Sequence, residues 1–479
     1  MRTFFVTRRI ALAMIPVFLF SSCAAGKHYT PPVPALAPDE LVSADTLRFE
    51  DVQPLAAWWQ AFDDPQLAAL VDEALHYNLD VKIALANVAR TRARLGGVRA
   101  DRLPTMGAGA SYGLDFQSQE TRVGPLPDRS SDVFDAGFDT FWEMDVFGRV
   151  TQRIRRAQAL DRQAVADLQG IYVTVAAEVA RRYIELRGAQ HRLNIAWRNA
   201  ANQTKTFDLT SSMAQGGRGT NRDVARAHTQ LELTRATIPP LQAEAAAAIH
   251  RLGVLTGKLP QALRSELEET KALPSVPMTL QVGDAGSMLR RRPDIRAAEQ
   301  AIAATAAQYH LAVAELFPEV TISGSLGFLS SSLARWMTYG ALTADVGPTI
   351  RWRILEFQRV RAGIKESDAE ARISLARYEK TVLEALEEVE TSLTDFSKEE
   401  ERRKNLIEAA RSSAEASRLA RSRFEAGLDN FLDILDTERV QLQAEDALAV
   451  SEISSALNLI AIYKALGGGW QAAPETPSR

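Results

Sequence analysis

The feature that most constrains the fold of this chain is an internal repeat. The segment Asn78-Leu79-Asp80-Val81 corresponds to Arg292-Pro293-Asp294-Ile295, and farther along the chain Asp223-Val224 corresponds to Asp433-Ile434. Matches that recur in the same order indicate that one structural unit occurs twice. The boundaries that follow are 63–257 for repeat 1, 258–283 for the linker, 284–467 for repeat 2 and 468–479 for a C-terminal tail.

Each repeat contains two segments in which apolar and polar residues alternate. A period of two predicts β-strands, and about 9–11 residues is the length that a tilted strand needs to cross a membrane. A soluble sheet with one face on a core fits the same alternation. Pro348 cannot donate a ladder hydrogen bond, so we expect a bulge or a rim position there. The predicted strands are 105–117, 133–146, 319–329 and 342–354.

The remaining segments predict long helices. No proline interrupts 149–213 or 359–425, and a helix of about 65 residues is ~98 Å long. Apolar residues in the second segment recur every three or four positions, which indicates a stripe facing partner helices. A turn at 214–219 leads into a helix predicted at 221–256, and a turn at 426–430 leads into the matching helix of repeat 2. Each repeat is therefore expected to form an antiparallel helical hairpin.

The number of strands constrains the assembly. Four strands per chain are too few to close a barrel, and an open sheet edge does not occur in lipid. If the strands cross a membrane, copies of the chain must associate. Two copies would give eight strands, whose interior the side chains fill, and three would give twelve, with room for a channel.

Composition and motifs argue against several function classes. The 56 basic and 60 acidic residues give a net charge of −4, without the basic excess typical of nucleic-acid binding. Cys23 is the single cysteine, and the six histidines are scattered. We therefore expect no disulfide framework, no metal site and no cofactor.

Two further classes remain as alternatives. Gly109-Ala110-Ser111-Tyr112-Gly113 fits the GxSxG pattern of serine hydrolases. Because this motif lies within a predicted strand and no predicted helix follows it closely, a lipid-anchored hydrolase using Ser111 is a remote alternative, and we expect a non-enzyme. A soluble coiled-coil scaffold is another alternative, which requires all four strands to pack as core.

Five separated motifs carry a family resemblance. They are WWQAFDDPQLAALVDEALHYNLDV at 58–81, RRRPDIRAAEQ at 290–300, LFPEVTISGSLG at 316–327, RFEAGLDNFLDILDTERVQL at 423–442 and KALGGGW at 464–470. In this order they closely resemble the TolC-like outer-membrane efflux proteins, and best of all the lipoprotein branch of NodT/OprM-type outer membrane factors. The resemblance implies an α+β fold in which four transmembrane strands per chain form a trimeric, twelve-stranded outer-membrane barrel that continues into a long periplasmic α-helical barrel.

The resemblance also implies a function and partners. A homotrimer embedded in outer-membrane lipid would be the exit duct of a tripartite efflux system, as in multidrug resistance. Its partners would be a periplasmic adaptor (a membrane fusion protein) and an inner-membrane pump of RND type, with no nucleic acid. A duct for type I protein secretion is the alternative within transport, although the lipoprotein branch favours efflux.

In the family that the chain resembles, the periplasmic hairpin tips close the channel and open like an iris. Leu432 and Asp436 match the apolar and acidic rings at the constriction, and Asp429 and Asp433 lie close by in the sequence. Three copies of each acidic residue around an axis would favour cations. The tip of repeat 1 departs from the family pattern, because it is rich in glycine and has Arg222 where repeat 2 has the apolar residue.

Two arginines near the second tip are candidates for holding it closed. Arg421 and Arg423 are expected to pair with acidic residues of the neighbouring hairpin. The alternative is that both are solvated charges at a helix end.

Alternation also predicts which strand residues face the lumen of a barrel. The polar positions carry mainly acidic side chains, so we expect an acidic lumen. The candidates are Asp115, Asp135, Asp139, Glu143, Asp345, Arg351 and Arg353.

The N-terminus predicts export. Three arginines precede an apolar run at 10–20 that is too short to span a bilayer, which is typical of a signal peptide. After it, no run approaches about 20 apolar residues, so we expect no transmembrane helix in the mature chain.

Residues 20–23, Phe-Ser-Ser-Cys, resemble a lipobox. The resemblance implies a lipoprotein signal peptide at 1–22, lipidation (palmitate) of Cys23 and a lipid-anchored, extended segment at 23–62. Ala24, which follows the cysteine, is consistent with sorting to the outer membrane. We therefore expect a protein that is anchored at the outer membrane and extends into the periplasm.

Overall fold

A computed structural model describes residues 49–50, 56–116, 130–276, 280–281, 285–426, 428 and 430–473. Its strands are β1 (Phe49–Glu50), β2 (Thr105–Phe116), β3 (Ser130–Met144), β4 (Leu280–Gln281), β5 (Glu319–Ser330) and β6 (Leu342–Arg351). Its helices are α1 (Pro65–Tyr77), α2 (Leu79–Ala100), α3 (Arg149–Gln215), α4 (Asn221–Ala236), α5 (Ile238–Leu255), α6 (Arg264–Leu267), α7 (Ala285–Arg291), α8 (Pro293–Ala314), α9 (Phe357–Glu425) and α10 (Phe431–Ala465).

The four strands expected from alternation form one antiparallel sheet in the order β2-β3-β5-β6. Their ends differ from the expected ones, since β3 runs from Ser130 to Met144 and β6 ends at Arg351. The last partner of β6 is Glu319. Pro318 precedes that partner and has no N–H to extend the ladder, so the predicted continuation to residue 354 does not form. Strands β1 and β4 form a separate parallel pair.

The register of the sheet separates the two faces that alternation predicts. Every even-numbered residue lies opposite an even-numbered residue, so the apolar positions share one face and the polar positions the other. The large apolar side chains of this face are exposed or half-buried, and the exposed fraction reaches 74% for Met106 and 81% for Val346. In the described part of the chain, no core covers this apolar face, so the soluble-scaffold alternative is wrong.

Two small features shape the sheet. A Cβ built on Gly137 would lie 2.7 Å from the Cα of Gly327 and 2.7 Å from the carbonyl oxygen of Leu326, so β3 and β5 approach closely only because both positions are glycine. Pro348 pairs with Ile322 in continuous register, and the bulge expected there is absent. In the single chain, Pro348 is tolerated because β6 is an edge strand of the sheet.

The chain divides into two compact units, and each contains parts of both repeats. The first unit combines Val88–Ala164 with Ala297–Tyr378 and holds the four-stranded sheet. Within it, α2 packs on the start of α3. Thr91 Oγ1 donates to Asp161 Oδ1 (3.0 Å) beside an apolar cluster. The cluster consists of Leu95, Val150, Ile154 and Ala157.

The second unit combines Val165–Arg296 with the described residues from Glu379 onward and with those before Val88. Its helices contact closely at Gly188, where a Cβ would lie 2.5 Å from the side chain of Ile453. Trp58 stacks on Tyr463 with ring centroids 5.3 Å apart in the core of this unit. Arg192 of α3 forms an ion pair with Asp446 of α10 (2.8 Å).

One helix prediction needs correction, and one helix has a composition that was not expected. The helix expected at 221–256 is two helices, because Pro239 and Pro240 break the hydrogen bonding at Thr237 and stand in the first turn of α5. Among the described helices, α10 has the length and apolar composition to cross a membrane, although none was expected. Of its most apolar window, 44% is buried within the chain.

Candidate functional site

The turn between α9 and α10 is fixed by hydrogen bonds at both helix ends. The Leu428 N–H donates to the Arg423 carbonyl oxygen (2.9 Å), which closes the end of α9. Asn430 Oδ1 then accepts from the N–H groups of Leu432 (2.8 Å) and Asp433 (3.2 Å), which is an N-cap for α10. The predicted constriction residues therefore stand on the first turns of a capped helix, apart from Asp429, which lies outside the described residues.

The start of α10 has one buried and one exposed face. Leu432 is 47% exposed, and Asp433 and Asp436 are exposed on the same outward side. Phe431 and Ile434 point the other way into an apolar cluster shared by both hairpin tips. The other members of this tip cluster are Ala227, Ala420 and Phe424, with Phe207, Met213 and Leu435 packed against it.

The acidic position Asp436 is not isolated from positive charge. Arg439, three residues along α10, donates to Asp436 Oδ1 (2.6 Å). An exposed pair of this kind contributes little to stability, but it moderates the local negative potential. In repeat 1, the residues that correspond to Leu432 and Asp436 are Arg222 and Arg226, both exposed. Each chain therefore presents acidic residues at one tip and basic residues at the other.

A buried carboxylate connects the two hairpins just behind the tip cluster. Glu438 is 5% exposed, and its Oε1 accepts from the Arg421 guanidinium and from Thr206 Oγ1 (2.8 Å). Burial raises the pKa of the Glu438 carboxyl above its usual value, with the Thr206 hydrogen bond and the Arg421 charge opposing. Arg421 thus pairs within its own hairpin in the single chain. Its expected pairing with a neighbouring hairpin stays a prediction, as does that of Arg423.

Glu438 was not expected from the sequence as a functional residue, although a signal was present. It follows Phe431 and Ile434 at the spacing of the buried stripe. A charged residue on an apolar stripe is costly unless it is paired, so its position alone points to a buried partner.

The tip of repeat 1 is closed by a glycine-dependent turn. Gly217 has φ +74°, and the Arg218 N–H donates to the Met213 carbonyl oxygen (2.9 Å), as in a Schellman motif. Thr220 then caps α4, where its hydroxyl accepts from the Asp223 N–H (3.3 Å). The glycine-rich sequence is therefore the means by which α3 ends and the chain reverses.

The sheet places the predicted lumen residues on one face, with one exception. The register aligns Asp139, Ser325 and Asp345 in one row across three strands, and the Ser325 hydroxyl donates to Asp345. Arg353 lies beyond the end of β6 and is therefore not on the sheet face. The residues on this polar face are Asp115, Asp135, Asp139, Glu143, Asp345 and Arg351.

One of these charges, that of Glu143, is compensated at the helix end of the sheet. Glu143 forms ion pairs with Arg149 (3.2 Å) and with Arg153, and its side chain is 13% exposed. Arg351 lies opposite Glu319 in the ladder. The acidic character of this face therefore comes mainly from its aspartates. Nothing local in the sequence indicates that Arg149 and Arg153 would neutralise Glu143.

The hydrolase alternative is wrong. Ser111 lies in the middle of β2, paired with Asp135, and the strand continues to Phe116. A nucleophile elbow requires the serine at a sharp turn from a strand into a helix. The proposed lipidation residue, Cys23, lies outside the described residues.

The chain is similar to known proteins along most of its length. The family model described as outer membrane efflux protein matches residues 70–258 and 285–468. Nodulation protein T of Rhizobium leguminosarum bv. trifolii is 29% identical over 455 residues, covering 94% of this chain and 96% of that protein. The pyoverdine export outer membrane protein OpmQ of Pseudomonas putida strain KT2440 is 29% identical over 486 residues, covering 98% and 99%. The solved outer-membrane channel OprN is 38% identical, with a TM-score of 0.89 and coverage of 94% and 100%.

Proposed function

Because the chain belongs to the outer membrane efflux protein family, we propose that it is the exit duct of a tripartite efflux system. It is an outer-membrane channel protein and not an enzyme. In the proposed system, an inner-membrane pump of RND type and a periplasmic adaptor pass substrates to this protein, which conducts them to the exterior. The observation that carries the proposal is a sheet with an exposed apolar face and an acidic polar face, since these suit lipid and a water-filled lumen.

The edges of the sheet support a trimer. Among the described residues, β2 and β6 each pair on one side only. Lipid cannot satisfy an unpaired strand edge, so β6 of one copy has to pair with β2 of the next. Three copies give twelve strands and room for a channel, whereas two copies give eight strands with a filled interior.

We place the proposed periplasmic gate at the hairpin tips. Leu432 and Asp436, with Asp433 and Asp429 nearby, would form the apolar and acidic rings of the constriction. What supports this placement is the exposure of Leu432 and Asp436 on a helix whose opposite side is anchored in the tip cluster. Tip pairing of Arg421 and Arg423 with a neighbouring hairpin would help to hold the closed state.

Planar-bilayer recordings of the purified protein test this function. The wild type should conduct with a cation-to-anion permeability ratio above one, because the aspartates of the polar face bias the lumen. Asp436→Asn should lower that ratio, and Leu432→Ala should raise the conductance by widening the constriction.

A matched control is available on α9. Glu415 is an exposed acidic residue that pairs with Arg418 three positions on (2.6 Å), just as Asp436 pairs with Arg439. Glu415→Gln should leave selectivity unchanged. A wild-type ratio below one would contradict the acidic lumen, and an equal effect of Glu415→Gln would contradict the placement of Asp436 at the constriction.

A duct for type I protein secretion is not favoured. The relatives described above are named for nodulation and for pyoverdine export, and neither name refers to protein secretion. Lipidation of Cys23 and an anchored, extended segment at 23–62 remain part of the proposal. Such an anchor would add to the hold of the barrel on the membrane.

A further inference from the structure

A cavity of about 190 Å³ lies between α3 and α8 in the unit that holds the sheet. This volume accommodates a group larger than a single water molecule. Four alanine side chains line it, and no carboxylate does. The polar side chains that line it are Gln152, Arg155, Gln158, Arg162, Gln300 and His310.

The cavity concentrates positive charge without a counter-ion. Neither Arg155 nor Arg162 forms a hydrogen bond or ion pair with another described residue, whereas Arg149 and Arg153 of the same helix both pair with Glu143. Burial and the Arg155 charge hold the pKa of His310 below its usual value, so the imidazole is a neutral hydrogen-bonding group at neutral pH. Two guanidinium forks with neutral donors beside them suit a phosphate group.

Helix geometry indicates that this cavity lies on the side of α3 that faces away from the proposed lumen. Arg149 and Arg153 reach Glu143 on the polar face of the sheet, so this side of α3 faces the proposed lumen. At 3.6 residues per turn, Arg155 is rotated about 200° from Arg153, and Arg162 about 180°. Both arginines therefore face the side on which the sheet carries its apolar residues.

The cavity is also close to the proposed membrane boundary. Trp142 and Trp352 mark the helix end of the sheet, and tryptophan is enriched at membrane interfaces. Arg155 follows the start of α3 by about 9 Å and Arg162 by about 20 Å, and the headgroup layer on each side of a bilayer is roughly 5–8 Å thick. Arg155 is therefore the arginine nearer to the proposed boundary. Because helical side chains tilt toward the N-terminus, Arg155 and Arg162 both lean toward the sheet.

From these observations, and on the premise that the sheet lies in the outer membrane, we propose that the cavity binds a phosphate group. The structure favours the headgroup phosphate of an anionic phospholipid in the periplasmic leaflet. Arg155 and Arg162 supply charge-assisted hydrogen bonds, and the glutamine amides complete the site. The bound lipid would seal the groove between α3 and α8 where the helices leave the membrane.

Native mass spectrometry of the full chain in detergent tests the proposal, with phosphatidylglycerol and phosphatidylcholine offered as separate probes. The wild type should retain phosphatidylglycerol in preference to phosphatidylcholine. Arg155→Gln and Arg162→Gln should each weaken that retention about tenfold, because each removes a charge-assisted hydrogen bond.

Arg156 provides the matched control. Like Arg155 and Arg162, it is exposed and has no partner among the described residues, but it lies within about 60° of Arg153 on the lumen side. Arg156→Gln should retain phosphatidylglycerol as the wild type does. Equal losses in Arg155→Gln and Arg156→Gln, or no lipid preference in the wild type, would overturn the site.

Two further measurements are needed. One distinguishes a lipid headgroup from free phosphate as the occupant of the cavity, and the other distinguishes failure of the lipid site from failure of the proposed channel function. Inorganic phosphate that displaced the lipid at millimolar concentration would assign the cavity to a free anion and overturn the lipid assignment. Bilayer conductance of Arg155→Gln should match that of the wild type. If the wild type itself fails to conduct, the proposed channel function fails, whatever the lipid result.

Discussion

At the scale of single residues, buried charge distinguishes this protein most clearly. Glu438 is held by Arg421 and Thr206 from two other helices, so one carboxylate couples both hairpins behind the proposed gate. Breaking such a pair leaves an uncompensated charge, whereas a neutral isostere can keep the hydrogen bond without the cost of burying the charge. The ionisation of Glu438 therefore biases the stability of the folded tip.

The pH dependence of the tip follows from the raised pKa. Between the usual glutamate pKa and the raised pKa of Glu438, the folded tip binds more protons than the opened tip. The stability of the folded tip therefore falls as the pH rises through this window. Each unit of raised pKa corresponds to about 1.4 kcal/mol. Glu438→Gln should remove this dependence, giving a tip as stable as the wild type at low pH and more stable above the window.

Hydrogen exchange of amides in residues 431–440, corrected for the intrinsic effect of pH, measures this difference. Asp433→Asn is a suitable control, because Asp433 is an exposed acidic residue on the same helical turn. The difference in amide protection between the wild type and Glu438→Gln should change between low and neutral pH. If that difference stays the same, the role assigned to Glu438 is wrong.

At the scale of elements, the close approach of β3 and β5 depends on paired glycines. Gly137 and Gly327 leave no space for a Cβ. Gly109 of β2 also pairs with Gly137, but a Cβ built on Gly109 would have no atom within 4 Å. Overpacking of this kind costs about 1–3 kcal/mol. Gly137→Val should therefore reduce the yield of assembled protein, and Gly109→Val should not.

The fraction of protein that migrates as an oligomer on unheated SDS gels measures that yield. A Gly137→Val protein that assembles as well as Gly109→Val would show that β3 and β5 can move apart without cost.

At the scale of the whole molecule, the proposed oligomer and the proposed anchor both attach the protein to the membrane. A closed barrel is held by its apolar face, and each acyl chain adds about 0.8 kcal/mol per buried CH₂. We expect the barrel to retain the protein and the anchor to aid sorting. Cys23→Ser protein should therefore remain in the membrane fraction after carbonate extraction, while its share in the outer membrane decreases.

Fractionation on a sucrose gradient measures both quantities. Complete loss of Cys23→Ser protein from the membranes would contradict the expectation that the barrel, and not the lipid anchor, retains the protein there. Ser21→Ala, which keeps a small residue near the cleavage site, serves as the control for processing.

The sequence alone determined the repeat, the four strands and the two faces of the sheet, because these features follow from the local periodicity of side chains. It also placed Leu432 and Asp436 together, since residues four apart on a helix share a face. Tertiary structure alone decided which charges are paired. The neutralisation of Glu143 by Arg149 and Arg153, and the burial of Glu438 against Arg421 and Thr206, depend on contacts between separate elements. Periodicity carries no information about such contacts, because they are set by the packing of helices far apart in the chain.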